Sequence, residues 1–149
     1  MAHKTLYLDA STWMKLYVPE AGSEHVESLI SAAERCTSHL ITYAEMRASF
    51  AKAQRMGRMN QATKDLAVAS FESDWQTCQV IDVRDPLIRR AGDLAERFGL
   101  RGYDSVHLAA AEAISLLLMP ETLAFVCFDE RLNAAARALG MATVVHGEK

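Results

Sequence analysis

LYLDASTWMKLYVPE, residues 6–20, runs from apolar Leu6, Tyr7 and Leu8 to an acid, Asp9, and from there directly into residues that suit a helix. Thr5 to Leu8 reads as a strand and Ala10 to Val18 as a short helix closed by Pro19. A strand apolar on both sides belongs in the middle of a parallel sheet, covered on both faces.

The same kind of junction recurs along the chain. CTSHLI, residues 36–41, is β-compatible and gives way at Thr42 to a helix, TYAEMRASFAKAQRMG, that ends near Gly57. QVIDV, residues 79–83, alternates as a strand before DPLIRRAGDLAERFG, whose Pro86 suits a first helical turn and whose Gly99 suits a stop. Leu123 to Phe128 reads as a strand before the helix ERLNAAARALG, and MATVVH, residues 141–146, as the last strand. SEHVESLISAAER places Val26, Leu29, Ile30 and Ala33 at helical spacing, with Ser23 as its expected N-cap. NQATKDLAVASFESDWQTC predicts a helix from about Asn60, and GYDSVHLAAAEAISLLLM a long buried one from about Asp104, stopped by Pro120. Strands alternating with helices predict an α/β fold with a parallel sheet, here as one domain over residues 1–149. The two successive helices between Ile41 and Gln79 break the alternation and are expected to project as a hairpin at the rim of a cleft.

Composition narrows the function classes. Sixteen Lys plus Arg against nineteen Asp plus Glu give a net charge of −3, so nucleic acid can be gripped only through a local basic face. Cys36, Cys78 and Cys127 form no C-x-x-C pair, which points to free thiols in a reducing compartment. The apolar run Ile114 to Met119, broken by Ser115, cannot span a bilayer, so a cytoplasmic location with no membrane partner is expected.

Acids that terminate strands of an open parallel sheet share one edge, where ligands bind. Asp9 and Asp129 do so, while Asp104 and Glu45 stand at a helix start or in a first helical turn. Each also has a simple reading as a cap, with Thr42-x-x-Glu45 fitting a capping box and Asp85 reading as a plain N-cap. If the four junctions converge, the carboxylates repel one another and call for a divalent cation. An oxygen-only donor set favours Mg²⁺ or Mn²⁺ over zinc and suits hydrolysis of a phosphodiester.

The blocks YLDASTWMKLYVPE, ITYAEMRASF, LRGYDSVHLAAA and FVCFDERLNAAARALGM, in this order and spacing, make the chain resemble the PIN-domain ribonucleases. Within them it is most similar to the VapC-like toxins of bacterial and archaeal toxin–antitoxin pairs. The resemblance runs essentially end to end, and GYDSVHLAAA is its most specific block. It implies a three-layer α/β/α sandwich and a Mg²⁺-dependent endoribonuclease that hydrolyses RNA by metal-activated water, with an antitoxin partner and a homodimeric state. Asp9, Glu45, Asp104 and Asp129 fall on the family's metal-binding acids, Ser11 on a position that holds the first of them, and Asn133 one turn after the last as a supporting group. The family often has Thr or Ser two residues before its last acid, where this chain has Cys127; the missing hydroxyl weakens support for Asp129.

Arg47, Arg55 and Arg58 lie within roughly a quarter-turn of one another and are candidates for RNA phosphates, with Arg47 favoured for its nearness to Glu45. His107 reads as a satisfied core histidine, and Trp13, Met14, Tyr17, Leu66, Phe71 and Trp75 mostly as packing, with self-association as the rival. Two other function classes compete. A receiver-like phosphoacceptor would need an adjacent acidic pair after the first strand and a late Lys, where this chain has Asp9-Ala10 and Val145-His146. A non-catalytic or housekeeping RNA-processing module would keep the acids as caps.

Overall fold

A computed structural model of the chain describes residues 3–145. The apolar runs before the junction acids become short strands: β1 (Thr5–Leu8), β2 (Arg35–His39), β3 (Gln79–Ile81), β4 (Ala124–Val126) and β5 (Ala142–Thr143). All pair in parallel, in the order β3-β2-β1-β4-β5. The helices are α1 (Ala10–Met14), α2 (Ser23–Ala32), α3 (Ile41–Arg55), α4 (Gln61–Trp75), α5 (Asp85–Phe98), α6 (Gly102–Leu118) and α7 (Glu130–Ala138).

The period-2 alternation of β1 and β4 decides which helices cover which face. Tyr7 and Phe125 stack on one face, ring centroids 5.5 Å apart, and pack among Leu94, Leu108 and Leu132 of α5, α6 and α7. Leu6, Leu8, Ala124 and Val126 point the other way, against Trp13, Met46, Phe50 and Phe71 of α1, α3 and α4. Every residue of β1 and β4 is buried, as their composition requires. The result is the expected three-layer sandwich. The chain winds outward from β1 to β3, then returns to β4 beside β1. That reversal opens a crevice at the carboxyl ends of β1 and β4, the two strands that lead to Asp9 and Asp129.

The two successive helices α3 and α4 pack on each other, with Met46 and Phe50 of α3 and Phe71 of α4 buried in the cluster that also holds Leu6, Leu8 and Trp13. Several local expectations are corrected. Trp13 and Phe71 are core, whereas Leu66 is 72% exposed. Ser23 is the first residue of α2 rather than its cap. Gly22, at φ +91°, makes the turn, and the Ser23 hydroxyl accepts the Glu20 N–H. Asp85 lies inside α5 and pairs with Arg89 at 2.7 Å. Helix α1 ends at Met14, β4 is three residues long, and β5 covers only Ala142–Thr143 of the expected last strand, whose His146 lies outside the described residues. No helix among the described residues is long and apolar enough to cross a membrane.

Candidate active site

Asp9 ends β1 and caps α1. Its Oδ1 accepts the Thr12 N–H at 3.0 Å, satisfying one of the free donors of the first helical turn. The Thr12 hydroxyl lies 2.9 Å from the same oxygen and 2.8 Å from the Val126 carbonyl, so it ties the end of β1 to β4. The Ser11 hydroxyl spans both carboxylate oxygens, at 2.8 and 3.0 Å. Oδ2 therefore has only a share of one hydroxyl and is the oxygen left for a cation.

Glu45 stands on the second turn of α3. The expected capping box does not form, since α3 starts at Ile41 and the Thr42 hydroxyl is taken by Ser38 at 2.8 Å. The Glu45 carboxylate instead meets His107 Nε2 at 2.6 Å, and His107 Nδ1 lies 2.8 Å from the Tyr7 hydroxyl. Burial, with Asp9 and Glu45 nearby, pushes the Tyr7 phenol well above its ordinary pKa, so it stays protonated. With the Tyr7 O–H donating to Nδ1, Nε2–H is left to donate to Glu45, and every member of the chain has a partner. His107 is the buried, satisfied histidine that its apolar helix suggested, and it also orients an acid. Replacing His107 by Leu should destabilise the protein by about 1–3 kcal/mol, because the Tyr7 hydroxyl is left buried and unpaired. Adding Tyr7→Phe should return part of that loss in urea melts; a double variant no more stable than the single would refute the contact.

Asp104 lies in the first turn of α6, two residues past the helix start, and the Arg101 Nε sits 3.2 Å from its Oδ2. Asp129 caps α7 through Oδ1, which accepts the Leu132 N–H at 3.1 Å. Asp9, Glu45, Asp104 and Asp129 line one cleft of about 260 Å³, together with Ser11, Arg101, His107 and Phe128. A larger cavity of about 680 Å³ lies away from it, walled by Trp13, Leu16, Ile30 and Leu66, and none of the four acids reaches it. Carboxylates converging on a small polar cleft have the clearer chemistry.

Residues 6–138 match the family model described as the PIN domain. The chain belongs to the PIN-domain family. It is 31% identical to Ribonuclease VapC45 of Mycobacterium tuberculosis over 91% of each chain. It is also 30% identical to Ribonuclease VapC3 of Pyrobaculum aerophilum, over 80% of this chain and 92% of that one. Among solved structures, FitAcB from Neisseria gonorrhoeae has a similar fold, with a TM-score of 0.69 at 18% identity, covering 95% of this chain and 96% of that one. A toxin–antitoxin complex from Klebsiella pneumoniae aligns at a TM-score of 0.63 and 15% identity, covering 95% and 96%.

The donors in this PIN cleft suit a hard cation. Four carboxylates face it, both nitrogens of the one histidine are engaged, and Cys127 is buried with its thiol pushed up by burial and by Asp9, hence neutral. Among the described residues no three His, Cys, Asp or Glu side chains already form a metal cage. The Cys127 sulfur accepts the Asp129 N–H at 3.3 Å.

Other expected residues fall elsewhere. Asn133 is fully buried and does not line the cleft; its Nδ2 donates to the Cys127 carbonyl at 2.9 Å, steadying the β4–α7 turn from behind. Arg47 turns away from Glu45, since two residues on a helix are about 200° apart. It donates to the Tyr43 hydroxyl and pairs with Glu72 at 3.5 Å. Arg58 pairs with Glu20 at 3.2 Å beside the cleft, and Arg55 is exposed at the end of α3. Arg101, Thr12 and Tyr7 are site residues the sequence did not single out.

Proposed function

We propose that this PIN-domain protein is a Mg²⁺-dependent endoribonuclease, the toxin of a toxin–antitoxin pair, with Mn²⁺ able to substitute. The observation that carries the reading is the meeting of Asp9, Glu45, Asp104 and Asp129, from four separate junctions, in one cleft. Relatives named as VapC ribonucleases support the same substrate class. The four acids would hold the ion, which when bound would supply Lewis acidity toward a phosphate oxygen and lower the pKa of water, so that water can lose a proton and attack phosphorus. Ser11 and Thr12 hold the Asp9 carboxylate with Oδ2 as its less engaged oxygen, and His107 holds Glu45. Arg101 stands at the mouth, where a guanidinium can release Asp104 and take an incoming phosphate. The product would carry a 5′-phosphate. An antitoxin would silence the protein by covering the cleft, a homodimer is the expected assembly, and the cytoplasm the expected location.

Purified protein incubated with total RNA and Mg²⁺ should cut it, and EDTA should stop the reaction. Asp104→Asn should cut at least about a hundredfold more slowly, since even groups that merely orient metal ligands are worth 10–100-fold. Cleavage that survives both EDTA and Asp104→Asn would refute the site.

A further inference from the structure

The acid cleft is the middle of a longer trough. On one side it shares Ser11 and Phe128 with a cavity of about 310 Å³ that Lys52 and Arg58 border. On the other it shares Arg101, Asp104, Phe128 and Asp129 with a cavity of about 560 Å³ that Arg131 borders. Lys15, Lys52 and Arg58 stand at one end beside Glu20, and Arg101 and Arg131 at the other beside Glu130; the four acids lie at the centre, so each end offers cations to the phosphates of a strand crossing the site. Phe128 borders all three spaces, immediately before Asp129.

The ring is half-buried and firmly held. The Lys15 ammonium sits over one face of the ring, 4.4 Å from its centroid, and a Cβ on Gly22 would come within 3.0 Å of its Cε1, so the Gly22 backbone packs against its edge and a base can stack only on the opposite face. An aromatic ring fixed at the centre of a polar trough, flanked by arginines and a lysine, combines the two elements that grip single strands: a π-face for a base and charges for the backbone. A duplex keeps its bases stacked inside and offers no face to such a ring.

Resting on the ribonuclease reading, we propose that Phe128 is a positioning residue on which a base of single-stranded RNA stacks beside the scissile phosphate. Lys52 and Arg58 on one side, and Arg101 and Arg131 on the other, hold the adjoining phosphates. The strand is then fixed in register at one base, and the acids meet the phosphate next to it.

The test measures binding of a fluorescent twelve-nucleotide RNA in EDTA, where nothing is cut, as a single strand and as a duplex. Phe128→Leu should weaken single-strand binding by about tenfold and leave duplex binding unchanged, and Phe128→Trp should restore it. Lys52→Gln should lower the salt slope of single-strand binding by about one, while Phe128→Leu leaves the slope alone. With Mg²⁺, Phe128→Leu should raise KM more than it lowers kcat. Equal losses for single strand and duplex, or no loss with Leu, would overturn the platform. Wild-type protein that binds single strands through Phe128 yet never cuts them would sink the nuclease reading and leave the platform standing.

Discussion

Replacing Asp9 by Asn should lower RNA cleavage by on the order of a hundredfold or more while the melting transition hardly moves. The two consequences separate because the two carboxylate oxygens do different work. Oδ1 takes the Thr12 N–H and hydroxyl, a cap that an Asn carbonyl oxygen reproduces, Asn and Asp being near-equal N-caps. Oδ2 has only a share of the Ser11 hydroxyl, and there Asn puts an amide NH₂, which donates hydrogen bonds and cannot bind a cation. Asp9→Ala should lose activity as well, and about 1 kcal/mol of stability with the cap. Gel assays of RNA cleavage beside thermal melts of both variants check this. An Asn variant of near wild-type activity would reduce Asp9 to a cap and remove the first ligand from the proposed site.

Asp9 and Asp129 are legible in the sequence because an acid at the end of an apolar run is a local signal, and a parallel sheet puts such ends on one edge; Asp104 follows no strand and is picked out by the GYDSVHLAAA block. Glu45 is singled out by the ITYAEMRASF block, against a capping-box spacing that favours a plain structural role; that box does not form, because Ser38 captures Thr42 and the helix starts one residue earlier. What holds Glu45 comes from residues 62 and 100 positions apart along the chain, His107 from Glu45 and Tyr7 from His107, and no local pattern announces such a contact. Arg47 fails through a rule available in the sequence, since a helix turns a residue two places on to the opposite side. Phe128 hides for another reason: it ends an apolar run and reads as strand, while β4 stops at Val126 and leaves its ring at the cleft.

Phe71→Ala should cost about 3–5 kcal/mol, a large share of the roughly 5–15 kcal/mol that holds a domain together. Phe71 is fully buried, and its ring centroid lies 5.5–6.0 Å from those of Trp13, Tyr17, Tyr43, Phe50 and Trp75. These rings come from α1 and the turn after it, from α3 and from α4, so one side chain joins three segments. Truncation leaves a cavity that five rigid rings cannot collapse to fill, which places the cost at the upper end for a core deletion. The midpoint of thermal unfolding should fall by about 10 °C or more. Phe71→Leu, which keeps most of the volume, should cost less than half as much. Catalysis should feel the change too, because α1 starts from Asp9 and α3 carries Glu45. Loosening the weld between those helices lets two of the four acids drift, so Phe71→Ala assayed well below its melting point should cut more slowly than its folded fraction accounts for. A variant that melts early but retains full specific activity per folded molecule would show that the sheet edge alone, through Ser11, Thr12 and His107, keeps the acids in place.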